Sequence, residues 1–176
     1  MLQSNKKAME KKVMKVDKAE LLNLLGMFTT STELLRHWND DKPEWMRGPY
    51  ICKDMIYATN GAICITIDPK KIDFGALVLP VYDKKPSIRN ILNKEKRWYL
   101  FEGWVRCIAD ISDEPYNIHI GEAVFYEEFW RPIKAAYYFF DAKKMTVITK
   151  TEKDDVFGVE LIDGVRCYIM PVVYRD

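Results

Sequence analysis

Residues 50–67 form the stretch that most constrains the fold. Three short runs rich in β-branched and aromatic side chains are separated by Lys53-Asp54 and by Asn60-Gly61. An Asn-Gly pair between apolar runs is the strongest short-range signal for a β-hairpin, because both residues tolerate a positive φ. In the run that follows, alternate positions share one face of a strand, and three of them are isoleucines: Ile63, Ile65 and Ile67.

Two other segments have helical spacing. Asp17 followed by Glu20 is a capping box, which predicts that a helix begins there, with an apolar stripe at Leu21, Leu22, Leu25 and Phe28. Residues 125–140 predict a second helix whose inward positions are Phe129, Trp130, Ile133, Ala136, Tyr137 and Phe140. Because a proline inside a helix costs about 3 kcal/mol, this helix is either kinked at Pro132 or begins late, with Pro132 in its first turn.

The remaining patterns predict strands and complete an α+β fold. Asp163-Gly164 is a second hairpin signal of the type I′ kind. The order β-α-β-β-β then occurs twice, with helices on one face of antiparallel sheets. We predict a flexible basic arm at residues 1–12, a first unit at 13–80, an insert or partial unit at 81–112 and a second unit at 113–176. Shorter strands are expected at residues 13–16, 76–79, 116–120, 145–149, 156–162 and 165–170.

Composition limits the class of protein. The chain has 176 residues, of which 48% are hydrophobic, so it can bury the core of one domain. No apolar run approaches the roughly 20 residues that cross a bilayer, and we therefore expect a cytoplasmic protein with no membrane partner. The four cysteines are scattered without a close ligand pair, so buried free thiols are expected and no metal site is predicted.

No catalytic pattern emerges from the chemistry-bearing residues. His37 and His119 are far apart in sequence, and the eight glycines form no phosphate-binding loop. Glu127 and Glu128 are adjacent, and on a helix they would point about 100° apart rather than act as a pair. We therefore predict a protein that is not an enzyme and has no cofactor.

Residues 56–61 and residues 167–174 resemble two segments of the bacterial DNA polymerase sliding clamp (β subunit) family. Residues 56–61, Ile-Tyr-Ala-Thr-Asn-Gly, are similar to the family's Ala-Thr-Asp-Gly-His-Arg-Leu segment. Residues 167–174, Cys-Tyr-Ile-Met-Pro-Val-Val-Tyr, are similar to its C-terminal Tyr-Val-Val-Met-Pro-Met-Arg-Leu. The twofold β-α-β-β-β order is also the internal repeat of a clamp domain. The resemblance implies a single-domain or divergent phage-like member.

The resemblance also implies a function and its residues. In that family the two segments line a pocket for short linear motifs of DNA polymerase and other DNA-processing proteins. Asn60, Ala62 and Ile63 stand where the family has Asp, His and Arg, so most of the polar rim is missing. Carried over by position, the partner-peptide groove consists of Thr59, Asn60, Gly61, Ala62, Ile63, Cys64, Tyr168, Ile169, Met170, Pro171, Val172 and Val173.

The charge distribution indicates which part of the chain could contact DNA. The first 18 residues carry a net charge of +4, so the rest carries −3 of the overall +1. A body of that sign lacks the basic stripe of an independent DNA binder. Double-stranded DNA would therefore be contacted through Lys6, Lys7, Lys11 and Lys12 of the arm and encircled only by a homo-oligomer of several copies. The alternative is a monomeric or dimeric protein-binding module on a clamp scaffold that no longer binds DNA.

Overall fold

A computed structural model describes residues 13–29, 43–82, 117–120, 123–148 and 157–169. The predicted basic arm, nearly all of the predicted insert and the tail from Met170 onward lie outside these residues. In chain order the elements are β1 (Met14–Lys15), α1 (Lys18–Gly26), a 3-10 turn (Glu44–Met46), β2 (Tyr50–Cys52), β3 (Met55–Thr59), β4 (Ile63–Ile67), β5 (Ile72–Asp73), β6 (Asn117–Ile120), β7 (Ala123–Tyr126), α2 (Glu127–Phe139), β8 (Thr146–Val147), β9 (Phe157–Ile162) and β10 (Val165–Ile169).

A six-stranded antiparallel sheet organises the described residues. Its strand order is β2-β3-β4-β10-β9-β8, so three strands come from each half of the chain. The last strand of each set, β4 or β10, lies at the centre, and in each half a helix precedes the three strands. Two small sheets accompany the large one: β1 pairs with β5 in parallel, and β6 pairs with β7 antiparallel. The chain is therefore α+β, as predicted.

Both helices pack on the same face of the large sheet. On this face the helices contribute residues at three- and four-residue spacing and the strands contribute every second residue, which are the two periods expected of these elements. The helix start predicted at Asp17 is confirmed, because Asp17 is the N-cap and its carboxylate accepts a hydrogen bond of 2.9 Å from the Glu20 N–H. This core includes Leu21, Leu25, Phe28, Ile56, Ala58, Ile63, Ile65, Ile67, Trp130, Ile133, Ala136, Phe140, Val159, Val165, Cys167 and Ile169.

The turns differ from those predicted. Lys53 and Asp54 both have positive φ, 48° and 62°, and they make the two-residue turn between β2 and β3. At the Asn60-Gly61 pair only Gly61 has a positive φ, of 93°, so the turn is not of type I′. Asp163-Gly164 likewise has only one positive φ, 88° at Gly164, and the register of β9 against β10 shifts next to it, as at a β-bulge.

Two further expectations are wrong. Residues 76–79 form no strand, and Val78 is 92% exposed. The chain joins the sheet slightly later, where Ile51 of β2 donates to the Pro80 carbonyl and accepts from the Tyr82 N–H. The late start of the second helix is also wrong, because α2 begins at Glu127 and has Pro132 in its interior. In the described part of the chain, no helix is long and apolar enough to cross a membrane.

Candidate partner-binding site

The β3–β4 turn and the end of β10 lie side by side in the sheet. Tyr168 is directly opposite Cys64, and Ile169 is directly opposite Ile63, although about a hundred positions separate the two strands in sequence. Six residues of the predicted groove thus run from the end of β3 through the turn to the start of β4, and two are on β10. We call these eight residues, Thr59 to Cys64 with Tyr168 and Ile169, the turn–tail corner.

Side chains of the turn itself hold its backbone in place. The Thr59 hydroxyl donates to the Ile63 carbonyl at 2.6 Å and accepts from the Gly61 N–H at 3.1 Å. The Asn60 side-chain oxygen accepts from the N–H groups of Ala62, at 2.9 Å, and Ile63, at 3.0 Å. Asparagine and threonine favour turns because their short side chains reach nearby backbone groups in this way. The turn is therefore a fixed feature of the surface.

Exposure divides the turn–tail corner into a tip and a base. Gly61 is exposed, and Asn60 and Ala62 are half-buried. The base residues are buried and support the tip rather than offering surface to a partner: Thr59, Ile63, Cys64, Tyr168 and Ile169. The other groove residues, Met170, Pro171, Val172 and Val173, and the four arm lysines lie outside the described residues.

The sheet face opposite the helices carries a second buried cluster beneath this corner. Cys64, Tyr168 and Ile148 pack together there, with Tyr57 against them. Burial raises the pKa of the Cys64 thiol, so this thiol stays neutral and is a poor nucleophile. The isoleucines of β4 face the helices, and Cys64 and Thr66 between them are also buried, so this strand is covered on both faces. The buried free thiol expected at Cys64 is confirmed.

An aromatic group adjoins that cluster at the β2 edge. The Tyr50 ring stacks on Tyr57, with ring centroids 5.6 Å apart, and meets Tyr82 and Trp45 edge-on. Tyr50 is fully buried, and its hydroxyl has no hydrogen-bond partner among the residues that the structure describes. Burial, with smaller contributions from Cys64 and Cys52, raises the pKa of this phenol. No sequence pattern predicted this group, since its members come from four segments: the 3-10 turn, β2, β3 and the chain at Tyr82.

Comparison with known proteins identifies no relative. No family model, no curated protein and no solved structure matches the chain. Within the ranges that the structure describes, no three His, Cys, Asp or Glu side chains are grouped so that they could hold a metal ion.

Proposed function

We propose that this chain is a sliding-clamp-like accessory protein of DNA replication or repair that binds partner proteins and catalyses no reaction. The observation that supports this most is the position of the turn–tail corner. Residues 56–61 run along β3 into the turn, and β4, the strand that follows this turn, pairs with β10, which carries the start of the second resembling segment. The helix-and-three-strand set found in each half agrees with the repeated unit that the resemblance implies.

Partner proteins bind at the tip of the corner together with the segment that follows β10. Short linear motifs require an apolar site with a few polar edges. The tip offers the Asn60 side chain and the exposed backbone of Gly61 as polar edges. Met170, Pro171, Val172 and Val173 come directly after Ile169, the last residue of β10, and they supply the apolar part of the site.

Replacing Met170 tests the proposed groove. Met170→Ala raises the Kd for apolar peptides copied from the clamp-binding segments of replicative polymerases about ten- to hundredfold, the usual effect of removing a central contact. Binding is measured by fluorescence anisotropy with labelled peptides. Met27→Ala is the matched control, because Met27 is 46% exposed and lies at the end of α1. Equal binding by both variants, or no binding by the wild type, contradicts the groove.

DNA is contacted by the basic arm and surrounded by an oligomer. Replacing Lys6, Lys7, Lys11 and Lys12 with Ala weakens binding to a fluorescent DNA duplex. It also reduces the slope of log affinity against log salt by about one for each lysine that contacts a phosphate. Lys70→Ala with Lys144→Ala, both exposed lysines of the body, is the control. An unchanged slope in the arm variant removes the arm from the proposal.

The charge of the helices favours a second candidate, a monomeric or dimeric protein-binding module without DNA. Exposed positions on the two helices carry both signs, with Lys18 and Glu20 on α1 and Glu128 and Arg131 on α2. A surface that tracks DNA is expected to be basic. Light scattering across a range of protein concentrations separates the two candidates. A mass of several chains supports the clamp-like assembly, and a mass of one or two chains supports the module.

A further inference from the structure

Asn60 and Gly61 are the only Asn-Gly pair in the chain, and this pair has its own chemistry. Glycine has no Cβ, so nothing shields its backbone nitrogen from the side chain of the residue before it. In a free chain that nitrogen attacks the Asn side-chain amide carbon. The reaction requires a Gly nitrogen free to lose its proton and an Asn side chain free to turn toward it.

The turn holds both reacting groups in other interactions. The Gly61 N–H donates to the Thr59 hydroxyl at 3.1 Å, which in turn donates to the Ile63 carbonyl at 2.6 Å. The Asn60 side-chain oxygen is held by the Ala62 and Ile63 N–H groups. Thr59 is fully buried, so water does not replace its hydroxyl. These hydrogen bonds disfavour loss of the proton from the Gly61 amide and restrict rotation of the Asn60 side chain.

We propose that Asn60 is a deamidation site that the folded turn keeps inactive, with the Thr59 hydroxyl as the group that restrains the Gly61 nitrogen. When the turn opens, the Gly61 nitrogen gives its proton to water and bonds to the Asn60 Cγ. The Cγ–Nδ2 bond breaks, ammonia leaves and a succinimide forms. Water then adds to one of the two ring carbonyls, and the bond from that carbon to the Gly61 nitrogen breaks. Attack at Cγ gives aspartate at position 60, and attack at the backbone carbonyl carbon gives isoaspartate.

The products differ in what they do to the turn. An aspartate keeps an oxygen that accepts from the Ala62 and Ile63 N–H groups, and it adds a negative charge at the half-buried edge of the exposed tip. An isoaspartate carries the backbone through the former side chain, so it lengthens the turn and cannot keep both hydrogen bonds. Deamidation therefore converts the tip into either a charged form or a rearranged form.

The test compares the deamidation rates of the wild type and of Thr59 variants in mildly alkaline buffer. The temperature is one at which circular dichroism shows that each protein is folded. Peptide mapping with mass spectrometry follows replacement of the side-chain NH₂ by OH at position 60. Thr59→Val, which keeps the side-chain shape and removes the hydroxyl, raises the rate about tenfold, the factor that corresponds to about 1.4 kcal/mol, the size of one hydrogen bond. Thr59→Ser, which keeps the hydroxyl, is the matched control and stays within about twofold of the wild type on the same scale.

A second comparison tests whether the folded turn protects Asn60, even if the Thr59→Val variant does not fold. The wild-type chain unfolded in urea deamidates at Asn60 at least about tenfold faster than the folded wild type if the turn protects it. Equal rates in folded and unfolded wild type overturn the proposal. A folded Thr59→Val protein that deamidates at the wild-type rate overturns the role of the hydroxyl.

Discussion

Gly164→Ala lowers the free energy of unfolding by about 2–4 kcal/mol, a sum of two effects. The first is backbone strain, because Gly164 has a φ of 88°, which side-chain-bearing residues rarely adopt. The second is a steric clash. A Cβ at this position would lie 2.9 Å from the Lys71 Cβ and 2.8 Å from its Cγ, atoms close to the backbone that cannot easily move away.

The clash lies at the end of the pairing between β4 and β10, where strands from the two halves of the chain meet. The Gly164 carbonyl accepts from the Asp68 N–H at 2.8 Å, and the Lys71 ammonium pairs with Asp163 at 2.7 Å. Thermal unfolding by circular dichroism measures the effect, which corresponds to a fall in Tm of about 10 °C for a chain of this size. Gly26→Ala is the control. Gly26 lies in α1, and its Cβ position is open space among the described residues, so alanine there is neutral or stabilising by up to about 1 kcal/mol. Equal Tm values for the two variants contradict this description of the turn.

Alkaline pH destabilises the protein steeply. Burial raises the pKa of the Cys64 and Cys167 thiols and of the Tyr50 phenol above their ordinary values of 9.0 and 10.0. Above those values the unfolded chain loses protons that the folded chain keeps. The contribution of these groups to the free energy of unfolding is therefore fully present below about pH 9, and it is lost as the pH rises. Each such group contributes a slope of about 1.4 kcal/mol per pH unit, and all three together give about 4 kcal/mol per unit above pH 10.

A Tyr50 variant measures the contribution of one of these three groups to the loss of stability at alkaline pH. Tyr50→Phe removes a buried hydroxyl that no described residue pairs with, so it raises stability at neutral pH by about 1 kcal/mol and reduces the alkaline slope by about 1.4 kcal/mol per pH unit. Tyr138→Phe is the matched control, because Tyr138 is 66% exposed. Urea unfolding at a series of pH values gives both quantities. If stability is flat from pH 8 to pH 11, or if the two variants have the same slope, these groups are not buried as described.

Local patterns predicted the elements that depend on local physics. The cap at Asp17 and the alternating isoleucines of β4 are set by neighbouring residues and appear where they were expected. The break between β2 and β3 was predicted at Lys53-Asp54, but its two positive φ values were not, because the pair contains neither glycine nor asparagine. Only the short connection between two paired strands forces this conformation. Residues 76–79 were assigned wrongly because a short apolar run has no period that shows whether it is covered.

Long-range pairing decides the candidate site, and local patterns carry little information about it. No periodicity indicates that β4 lies beside β10, and the burial of Cys64 and Thr66 on the second face of the sheet follows from contacts made by distant segments. The resemblance of two short segments supplied the expectation that they form one site. Burial then separates the five base residues, which are covered, from the tip, which reaches solvent, a distinction that a sequence alone does not make.

The adjacency of β4 and β10 is the central claim, and one engineered disulfide tests it. Asp68 and Gly164 form a hydrogen-bonded pair, and pairs alternate along an antiparallel ladder, so Ile65 and Cys167 form a non-hydrogen-bonded pair. Their Cα atoms are then about 4.5 Å apart, within the range of a disulfide. Ile65→Cys refolded under oxidising conditions is analysed by non-reducing peptide mapping. A disulfide between the introduced cysteine and Cys167 is the predicted result. A variant in which the introduced thiol stays reduced or links to Cys52 instead contradicts the arrangement on which the proposed site depends.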